Sequence, residues 1–79
     1  MNDLTFKTTR MIGTISVNDR SGWRKTLRVG RWIGKEEKYD LREWAPDDSR
    51  CGKGLVLSSE EARKLYALLK AEFGGAHGE

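Results

Sequence analysis

Hydrophobic and polar residues alternate in two stretches of the chain, residues 23–32 and residues 38–44, and a period of two predicts β-strands. One face of these strands, which we call the apolar face, carries Leu27, Val29, Tyr39 and Leu41. The other, which we call the basic aromatic face, carries Arg24, Thr26, Arg28, Gly30, Trp32, Lys38, Asp40, Arg42 and Trp44. The two stretches therefore predict strands whose second face combines cations with tryptophan.

Two further segments have the composition of strands. Residues 5–17 are rich in Thr, Ile, Val and Phe, which favours a strand that is bent or bulged near Gly13. Residues 52–57 form a short last strand, whose glycines indicate a sharp entry or a close approach of the backbone. Turn-forming residues separate the strands at 18–22, 34–37 and 46–50. Four strands in succession predict an antiparallel meander.

A helix is predicted directly after the last strand. Ser58 and Glu61 match a capping box, in which the serine caps the helix and the glutamate lies three residues on. Apolar residues then recur at spacings of three and four, at Ala62, Leu65, Tyr66, Leu69 and Phe73, with Leu68 on the flank. We expect this helix to pack one face on the sheet. Leu68 widens the apolar stripe of the helix, and a wider stripe suits contact with a second helix from a partner subunit.

The length predicts one α+β domain, residues 1–73, followed by a flexible Gly-rich tail at 74–79. A chain of 79 residues buries so small a fraction of its surface that an additional stabilising device is expected. Cys51 is the only cysteine, which excludes a disulfide framework, and His77 is the only histidine, which argues against a zinc site. Homodimerisation is the device that remains.

The sequence predicts a cytoplasmic protein with no membrane partner. Its apolar stretches are far shorter than the roughly 20 residues that span a bilayer. The polar start at Met1, Asn2 and Asp3 does not have the layout of a signal peptide. The single thiol fits a reducing compartment.

Positive charge is concentrated in the first half of the chain. The whole sequence carries a net charge of +3. Residues 1–35 contain eight Lys or Arg against Asp3 and Asp19, which sums to +6. Residues 36–57 sum to −2 and residues 58–79 sum to −1. The basic field therefore belongs to the predicted strands of the first half.

A sheet with one helix leaves one face uncovered, and here that face is expected to be the basic aromatic face. Its cations can neutralise phosphates, and exposed aromatic rings can stack on bases, each stack contributing about 1 to 3 kcal/mol. Trp32 and Trp44 are expected on this face, with Thr26 and Gly30 as low relief between them, whereas Trp23 is expected in the core or at the strand edge. Because stacking needs unpaired bases, the pattern predicts binding of single-stranded nucleic acid.

Other interpretations of the same residues stay open at this stage. A charged face is often only solvated, and tryptophan in a small domain is often core. Arg42 can contact phosphate or form a cross-strand ion pair, with Asp40 orienting a neighbouring arginine, and Lys53 can contact phosphate or serve solubility. RNA is not distinguished from DNA. Exposed aromatics would also suit a protein-interaction module with no nucleic-acid ligand.

Catalysis is not expected from this sequence. Cys51 and His77 could form a dyad only if the tail folded back, and the sequence holds no Ser/His/Asp set, Gly-rich phosphate loop or metal cluster. We therefore predict no catalytic residues, no cofactor, no metal site and no small-molecule substrate.

Three segments of the chain together resemble a known family. They are residues 22–25 (Gly-Trp-Arg-Lys), residues 38–44 (Lys-Tyr-Asp-Leu-Arg-Glu-Trp) and residues 52–58 (Gly-Lys-Gly-Leu-Val-Leu-Ser). In order and spacing they resemble the positive-cofactor-four transcriptional coactivator family, and most closely its bacterial YdbC-like single-stranded DNA-binding branch. The resemblance extends over residues 5–73.

The resemblance implies a strongly curved four-stranded antiparallel sheet, one C-terminal helix, and a homodimer formed through the helices. It also implies single-stranded DNA along the exposed sheet faces and a role in transcription or DNA maintenance. Pattern and resemblance together predict nucleic-acid binding by Arg24, Lys25, Arg28, Trp32, Lys38, Arg42, Trp44 and Lys53. The predicted dimer interface consists of Leu65, Leu68, Leu69 and Phe73.

Overall fold

The computed structural model describes residues 6–74, which form four strands and one helix. Strand β1 spans Phe6–Val17, β2 spans Arg24–Trp32, β3 spans Lys38–Trp44 and β4 spans Cys51–Leu57; helix α1 spans Ser59–Phe73. The predicted α+β fold is confirmed, and β2 and β4 begin within one residue of their predicted starts. The predictions for residues 1–5, for residues 75–79 of the tail and for His77 lie outside the described residues.

The four strands form one antiparallel sheet in the order β1-β2-β3-β4, as predicted. Arg28 of β2 lies opposite Asp40 of β3, and Leu27 lies opposite Leu41. Directly opposite residues point to the same side of a sheet, so the register confirms the division into an apolar face and a basic aromatic face. Leu55 of β4 lies opposite Leu41 and extends the apolar face.

The pairing of β1 with β2 is interrupted by three register shifts, at Thr8/Arg10, Met11/Gly13 and Thr14/Ser16. A bend near Gly13 was predicted, and the two others were not. Each extra residue in one strand bends that strand and increases its twist. Strand β1 therefore coils along the edge of the sheet instead of lying flat beside β2.

The sheet is strongly curved, and the basic aromatic face is its concave side. Phe6 lies opposite Trp32 at one end of β2, and Trp44 lies opposite Arg24 at the other end. A flat strand would place these two ends about 26 Å apart. The ring centroids of Phe6 and Trp44 are nevertheless only 5.8 Å apart. Side-chain length alone cannot close that gap, so the backbone curves toward this face.

Strand β4 approaches β3 closely at Gly54, as the glycines of this segment predicted. Gly54 lies opposite Arg42. A Cβ atom at Gly54 would overlap the carbonyl oxygen of Leu41 and the Cβ atom of Arg42. The absence of a side chain at this position therefore permits the close contact beneath Arg42.

Helix α1 begins at the predicted capping box. The Ser58 hydroxyl accepts a hydrogen bond from the Glu61 backbone N–H at 3.1 Å, and the Glu61 carboxylate accepts one from the Ser58 backbone N–H at 2.9 Å. Acidic Glu60 and Glu61 in the first turn and basic Lys70 in the last turn complement the helix dipole. The reciprocal cap fixes the point at which the chain leaves β4.

The packing of α1 on its own sheet is looser than predicted. The helix contacts only β3 and β4, and none of its residues is buried. Because the sheet is convex on the helix side, a straight helix can touch only part of the apolar face. An open apolar groove of about 410 Å³ remains, lined by Leu27, Tyr39, Leu57, Ala62, Leu65, Tyr66 and Leu69 together with Ser59 and Arg63. No helix in residues 6–74 is long and apolar enough to cross a membrane.

Candidate nucleic-acid interface

Six of the eight residues predicted to bind nucleic acid lie on the basic aromatic face. They are Arg24, Arg28 and Trp32 of β2 and Lys38, Arg42 and Trp44 of β3. The alternation of the two strands puts them on one side, and the curvature of the sheet then brings side chains from distant positions into contact. The result is one continuous cluster of guanidinium groups and aromatic rings.

Lys25 and Lys53 are not part of this cluster. Lys25 alternates with Arg24 and therefore points to the opposite side of the sheet. It lines an open cleft together with Leu41, Arg42, Glu43, Lys53, Gly54 and Leu55. Of the other six predicted residues, Arg42 is the one that also lines this cleft.

Trp44 and Arg28 are buried, and their predicted exposure is wrong. Each is 2% exposed. The Arg28 guanidinium carbon lies 4.1 Å from the centroid of the Trp44 ring, which is cation–π geometry. The concave curvature folds the face onto itself, so residues at the centre of the predicted binding face contact each other. Trp44 therefore supports Arg28 and offers no free surface for a base in this conformation.

Phe6 fills the space above Gly30, where the sequence predicted a shallow surface between the aromatic rings. Its ring centroid lies 4.9 Å from that of Trp32 and 5.8 Å from that of Trp44, and the residue is 7% exposed. A Cβ atom at Gly30 would overlap the Phe6 ring and the Lys7 carbonyl oxygen. Phe6 was missed as a site residue, although pairing the first predicted strand against the second would have placed it beside Trp32.

A second missed residue, Asp48, lies between two of the predicted arginines. Its Oδ1 atom is 2.9 Å from Nη2 of Arg24 and 3.1 Å from Nη2 of Arg28. Arg28 also donates through Nε to the Thr26 hydroxyl at 2.8 Å and through Nη1 to the Thr8 hydroxyl at 3.3 Å. Asp48 therefore bridges the two guanidinium groups, and the two threonine hydroxyls also hold that of Arg28. Asp48 was not predicted, because it lies in the loop between β3 and β4 and no local pattern indicates which strand residues it contacts.

Arg42 forms an ion pair within its own strand. Its Nε atom lies 2.7 Å from Oδ1 of Asp40, and its Nη1 donates to the carbonyl oxygen of Gly52 at 3.2 Å. The prediction that Asp40 orients a neighbouring arginine is confirmed, whereas the suggested cross-strand partner is replaced by this one. The guanidinium carbon of Arg42 lies 5.1 Å from the centroid of the Trp32 ring. Trp32 is thus flanked by Phe6 and Arg42.

Two buried polar atoms of this face have no hydrogen-bond partner within residues 6–74. They are Oδ2 of Asp40 and Nε1 of Trp44. An unpaired buried polar atom destabilises the state that contains it. The buried part of the basic aromatic face therefore contains hydrogen-bonding atoms without partners, which are rare in an ordinary protein core.

The open part of the face is a cleft at its Trp32 end. The cleft has a volume of about 260 Å³ and is lined by Trp32, Lys35, Glu36, Lys38 and Val56. Trp32 and Lys38 are half-buried, and Lys35 is exposed. We call this feature the Trp32 cleft. It combines a half-buried aromatic ring with two ammonium groups and the carboxylate of Glu36. Lys35 was not among the predicted site residues.

Trp23 lies outside the basic aromatic face, at the end of the inner strand β2. It directly precedes β2 and is half-buried. The Arg50 guanidinium carbon lies 5.8 Å from its ring centroid. Trp23 therefore has a structural environment of its own and contributes nothing to the Trp32 cleft.

Comparison with known proteins identifies a relative of this chain. No protein-family model matches the chain. The chain is similar to an uncharacterized protein of Treponema pallidum (strain Nichols), with 40% identity over 70 residues that cover 89% of this chain and 81% of the relative. Identity at this level extends over nearly the whole fold, from the strands to the helix. The chain therefore belongs to the same protein family as this Treponema pallidum protein.

Proposed function

We propose that the protein binds single-stranded nucleic acid, without strong sequence preference, on the basic aromatic face. The observation that carries this proposal is the Trp32 cleft, in which a half-buried aromatic ring opens beside Lys35 and Lys38. An aromatic ring can stack on any base, and ammonium groups can neutralise the phosphates on either side of it. Bases inside a duplex are already stacked, so this arrangement favours unpaired strands.

The proposal gives the two tryptophans of the face different roles. Trp32 is the stacking residue, because it lines an open cleft whereas Trp44 is buried. Trp44 acts through Arg28, which it holds at 4.1 Å. Arg42 is 5.1 Å from the Trp32 ring and is the nearest guanidinium group for a phosphate beside a base in the cleft. The resemblance to the YdbC-like branch favours DNA over RNA as the ligand.

We also propose that the functional unit is a homodimer formed through the helices. The predicted interface residues are exposed: Leu65 by 38%, Leu68 by 61%, Leu69 by 44% and Phe73 by 75%. Together with the open apolar groove they form an extended apolar surface, which is unusual on a protein that works alone. A second copy carries the same surface and can cover it by a two-fold contact.

The proposal assigns no catalytic step to the protein and requires no cofactor. A protein of this kind works where single strands are exposed, during transcription or DNA maintenance, and a cytoplasmic location in its cell is part of the proposal. A protein-interaction module remains the competing function. Titration with oligonucleotides separates the two functions, because a module that binds only proteins would show no preference for the single strand over the duplex.

The first experiment is a salt-dependent titration of the protein with a single-stranded oligonucleotide and with the duplex of the same sequence. We expect tight binding of the single strand with quenching of tryptophan fluorescence, and weaker binding of the duplex. The logarithm of the affinity should fall linearly with the logarithm of the salt concentration, because phosphate contacts release counterions. Equal affinity for both ligands, or no affinity for either, would contradict the proposal.

A matched pair of tryptophan variants tests the stacking role. Trp32→Ala removes the ring of the Trp32 cleft, and we expect a loss of about 5- to 150-fold in single-strand affinity, which corresponds to 1–3 kcal/mol. Trp23→Ala removes the same side chain away from the face, and it should leave the affinity unchanged within about twofold. Similar effects of the two substitutions would show that the stacking assignment is wrong.

A further inference from the structure

Asp48 holds an unusual position for an acidic residue in a basic site. It lies in the loop between β3 and β4, with a backbone φ of +63°, a conformation that Asp and Asn tolerate better than most residues. Its carboxylate contacts Arg24 at 2.9 Å and Arg28 at 3.1 Å. Its side chain is 44% exposed, whereas that of Arg28 is only 3% exposed. A partly exposed carboxylate thus covers a buried guanidinium group.

The two arginines form a built site for an oxyanion. Arg28 is fixed by the Trp44 ring and by the hydroxyls of Thr26 and Thr8, and its Nη1 and Nη2 atoms are directed at the two carboxylate oxygens, at 3.5 and 3.1 Å. Arg24 is held by the carbonyl oxygens of Ala45 and Pro46, at 3.0 and 3.3 Å. Neither arrangement needs Asp48 to aim the guanidinium groups. Converging guanidinium donors of this kind suit a carboxylate and a phosphate equally well.

We infer that Asp48 is an internal counterion that occupies the position of a backbone phosphate and must be displaced when a strand binds. This inference rests on the proposed function, which places the strand along the basic aromatic face. Within residues 6–74, the Asp48 carboxylate accepts hydrogen bonds from Arg24 and Arg28 only. It can therefore leave the site by rotation of one exposed side chain. No bond is made or broken, and one anion replaces another.

The exchange has a consequence for affinity and for its salt dependence. A phosphate that enters the site must overcome the attraction between Asp48 and two arginines, and it then lies near the displaced carboxylate. Both effects weaken binding. A strand that exchanges places with an internal carboxylate also releases fewer counterions than one that meets two free arginines. Asp48 therefore limits the affinity of the face for nucleic acid.

The test compares two substitutions that each remove one negative charge from the same loop. Asp48→Asn keeps the shape of the side chain and suits a positive φ. Asp47→Asn is the control, because Asp47 accepts a hydrogen bond from the Ser49 backbone N–H and touches neither arginine. We expect Asp48→Asn to bind the single-stranded oligonucleotide about fivefold tighter or more, with a steeper salt dependence, and Asp47→Asn to differ from the wild type by less than about twofold.

A weaker or unchanged affinity of Asp48→Asn relative to Asp47→Asn would overturn the inference. In that case Asp48 only positions the arginines, and the proposed function stands. A measurement on the wild type decides the matter even if Asp48→Asn does not fold. The ¹³C carboxylate resonance of Asp48 should move when the oligonucleotide binds, while that of Asp47 should not, and an unmoved Asp48 resonance would again overturn the inference.

A second ligand separates this inference from the proposed function. Inorganic tripolyphosphate carries the charge of a nucleic-acid backbone without bases. If the wild type binds no single strand, the proposed function fails. Tighter binding of tripolyphosphate by Asp48→Asn than by Asp47→Asn would then still support an anion site blocked by Asp48. Equal binding of tripolyphosphate by both variants would overturn the site as well.

Discussion

Gly30 and Phe6 are in contact on the concave basic aromatic face, and this contact limits how closely β1 and β2 can approach. The Phe6 ring occupies the volume in which any side chain at position 30 would lie. The same ring is in contact with Trp32 and Trp44, so one glycine determines the packing of three aromatic residues. Tight aromatic packing of this kind tolerates little added volume.

We predict that Gly30→Ala destabilises the protein by about 1 to 3 kcal/mol, because the new methyl group overlaps the Phe6 ring and the Lys7 carbonyl oxygen. The free energy of unfolding can be measured by urea denaturation at a fixed protein concentration. Gly13→Ala is the control, since a Cβ atom at Gly13 meets no atom within 4 Å. It should change the stability by less than about 1 kcal/mol. Equal losses in the two variants would contradict the steric explanation.

The sequence predicted which residues share the basic aromatic face, but it could not predict their depth. Alternation gives the side of the sheet to which Arg28 and Trp44 point. Burial of both residues follows from the curvature, and a period of two contains no information about curvature. Asp48 was missed for a related reason: its partners Arg24 and Arg28 are 24 and 20 residues away along the chain. Contacts of this range depend on the tertiary fold.

Helix α1 begins at the residue that the sequence predicted, because its cap depends on four consecutive residues. Both hydrogen bonds of the capping box join Ser58 and Glu61, and neither needs a tertiary contact. The bulges of β1 are the opposite case. Gly13 marks one of them, while the other two occur among residues with ordinary strand propensity. Their positions follow from how β1 fits the curved β2.

We predict that Ser58→Ala lowers the stability by about 1 kcal/mol, because it leaves the Glu61 backbone N–H without its acceptor. Ser59→Ala is a close control, since Ser59 is the first residue of the helix and is exposed. It should have an effect close to zero. Thermal or urea unfolding measures both variants, and a loss in Ser59→Ala as large as that in Ser58→Ala would rule out a specific effect of the cap.

The loop between β3 and β4 also contains a carboxylate with a shifted titration. The pKa of Asp47 lies below its usual value of 3.8, because hydrogen bonds from the Ser49 hydroxyl and the Ser49 backbone N–H stabilise the charged form. A carboxyl whose pKa is lowered by folding contributes stability above its unfolded pKa. That contribution is lost as the pH falls through the folded pKa.

We therefore predict that Ser49→Ala raises the pKa of Asp47 toward its usual value. The ¹³C carboxylate titration of Asp47 should have its midpoint below pH 3.8 in the wild type and closer to it in the variant. Any stability difference between the two proteins should be present at neutral pH and shrink on acidification below 3.8. Ser59→Ala lies outside the loop and should leave the titration unchanged. An unchanged midpoint in Ser49→Ala would show that the hydroxyl contributes nothing to the shift.

The curvature of the sheet connects the two surfaces of the whole molecule. Bending toward the basic aromatic face brings its arginines and aromatic rings together, and it makes the opposite face convex. A helix of 15 residues touches a convex surface only locally, so the apolar stripe of α1 projects beyond β3 and β4. The feature that assembles the candidate binding face thus also leaves an apolar surface uncovered on the other side. A second copy of the chain would cover it.

We predict that the wild type is a dimer in solution and that Leu68→Glu converts it to a monomer. Leu68 is 61% exposed within one chain, so the substitution removes little intrachain packing and places a charge in the proposed interface. Ala67→Glu is the matched control, because position 67 is also exposed but lies about 100° further round the helix. Analytical ultracentrifugation gives the mass, and the unfolding midpoint should depend on protein concentration in the wild type but not in Leu68→Glu. A monomeric wild type would contradict the proposed dimer. A Leu68→Glu variant as dimeric as Ala67→Glu would mean that the exposed apolar stripe of the helix is not the interface. In either case two basic aromatic faces could not be assigned to one functional unit joined through the helices.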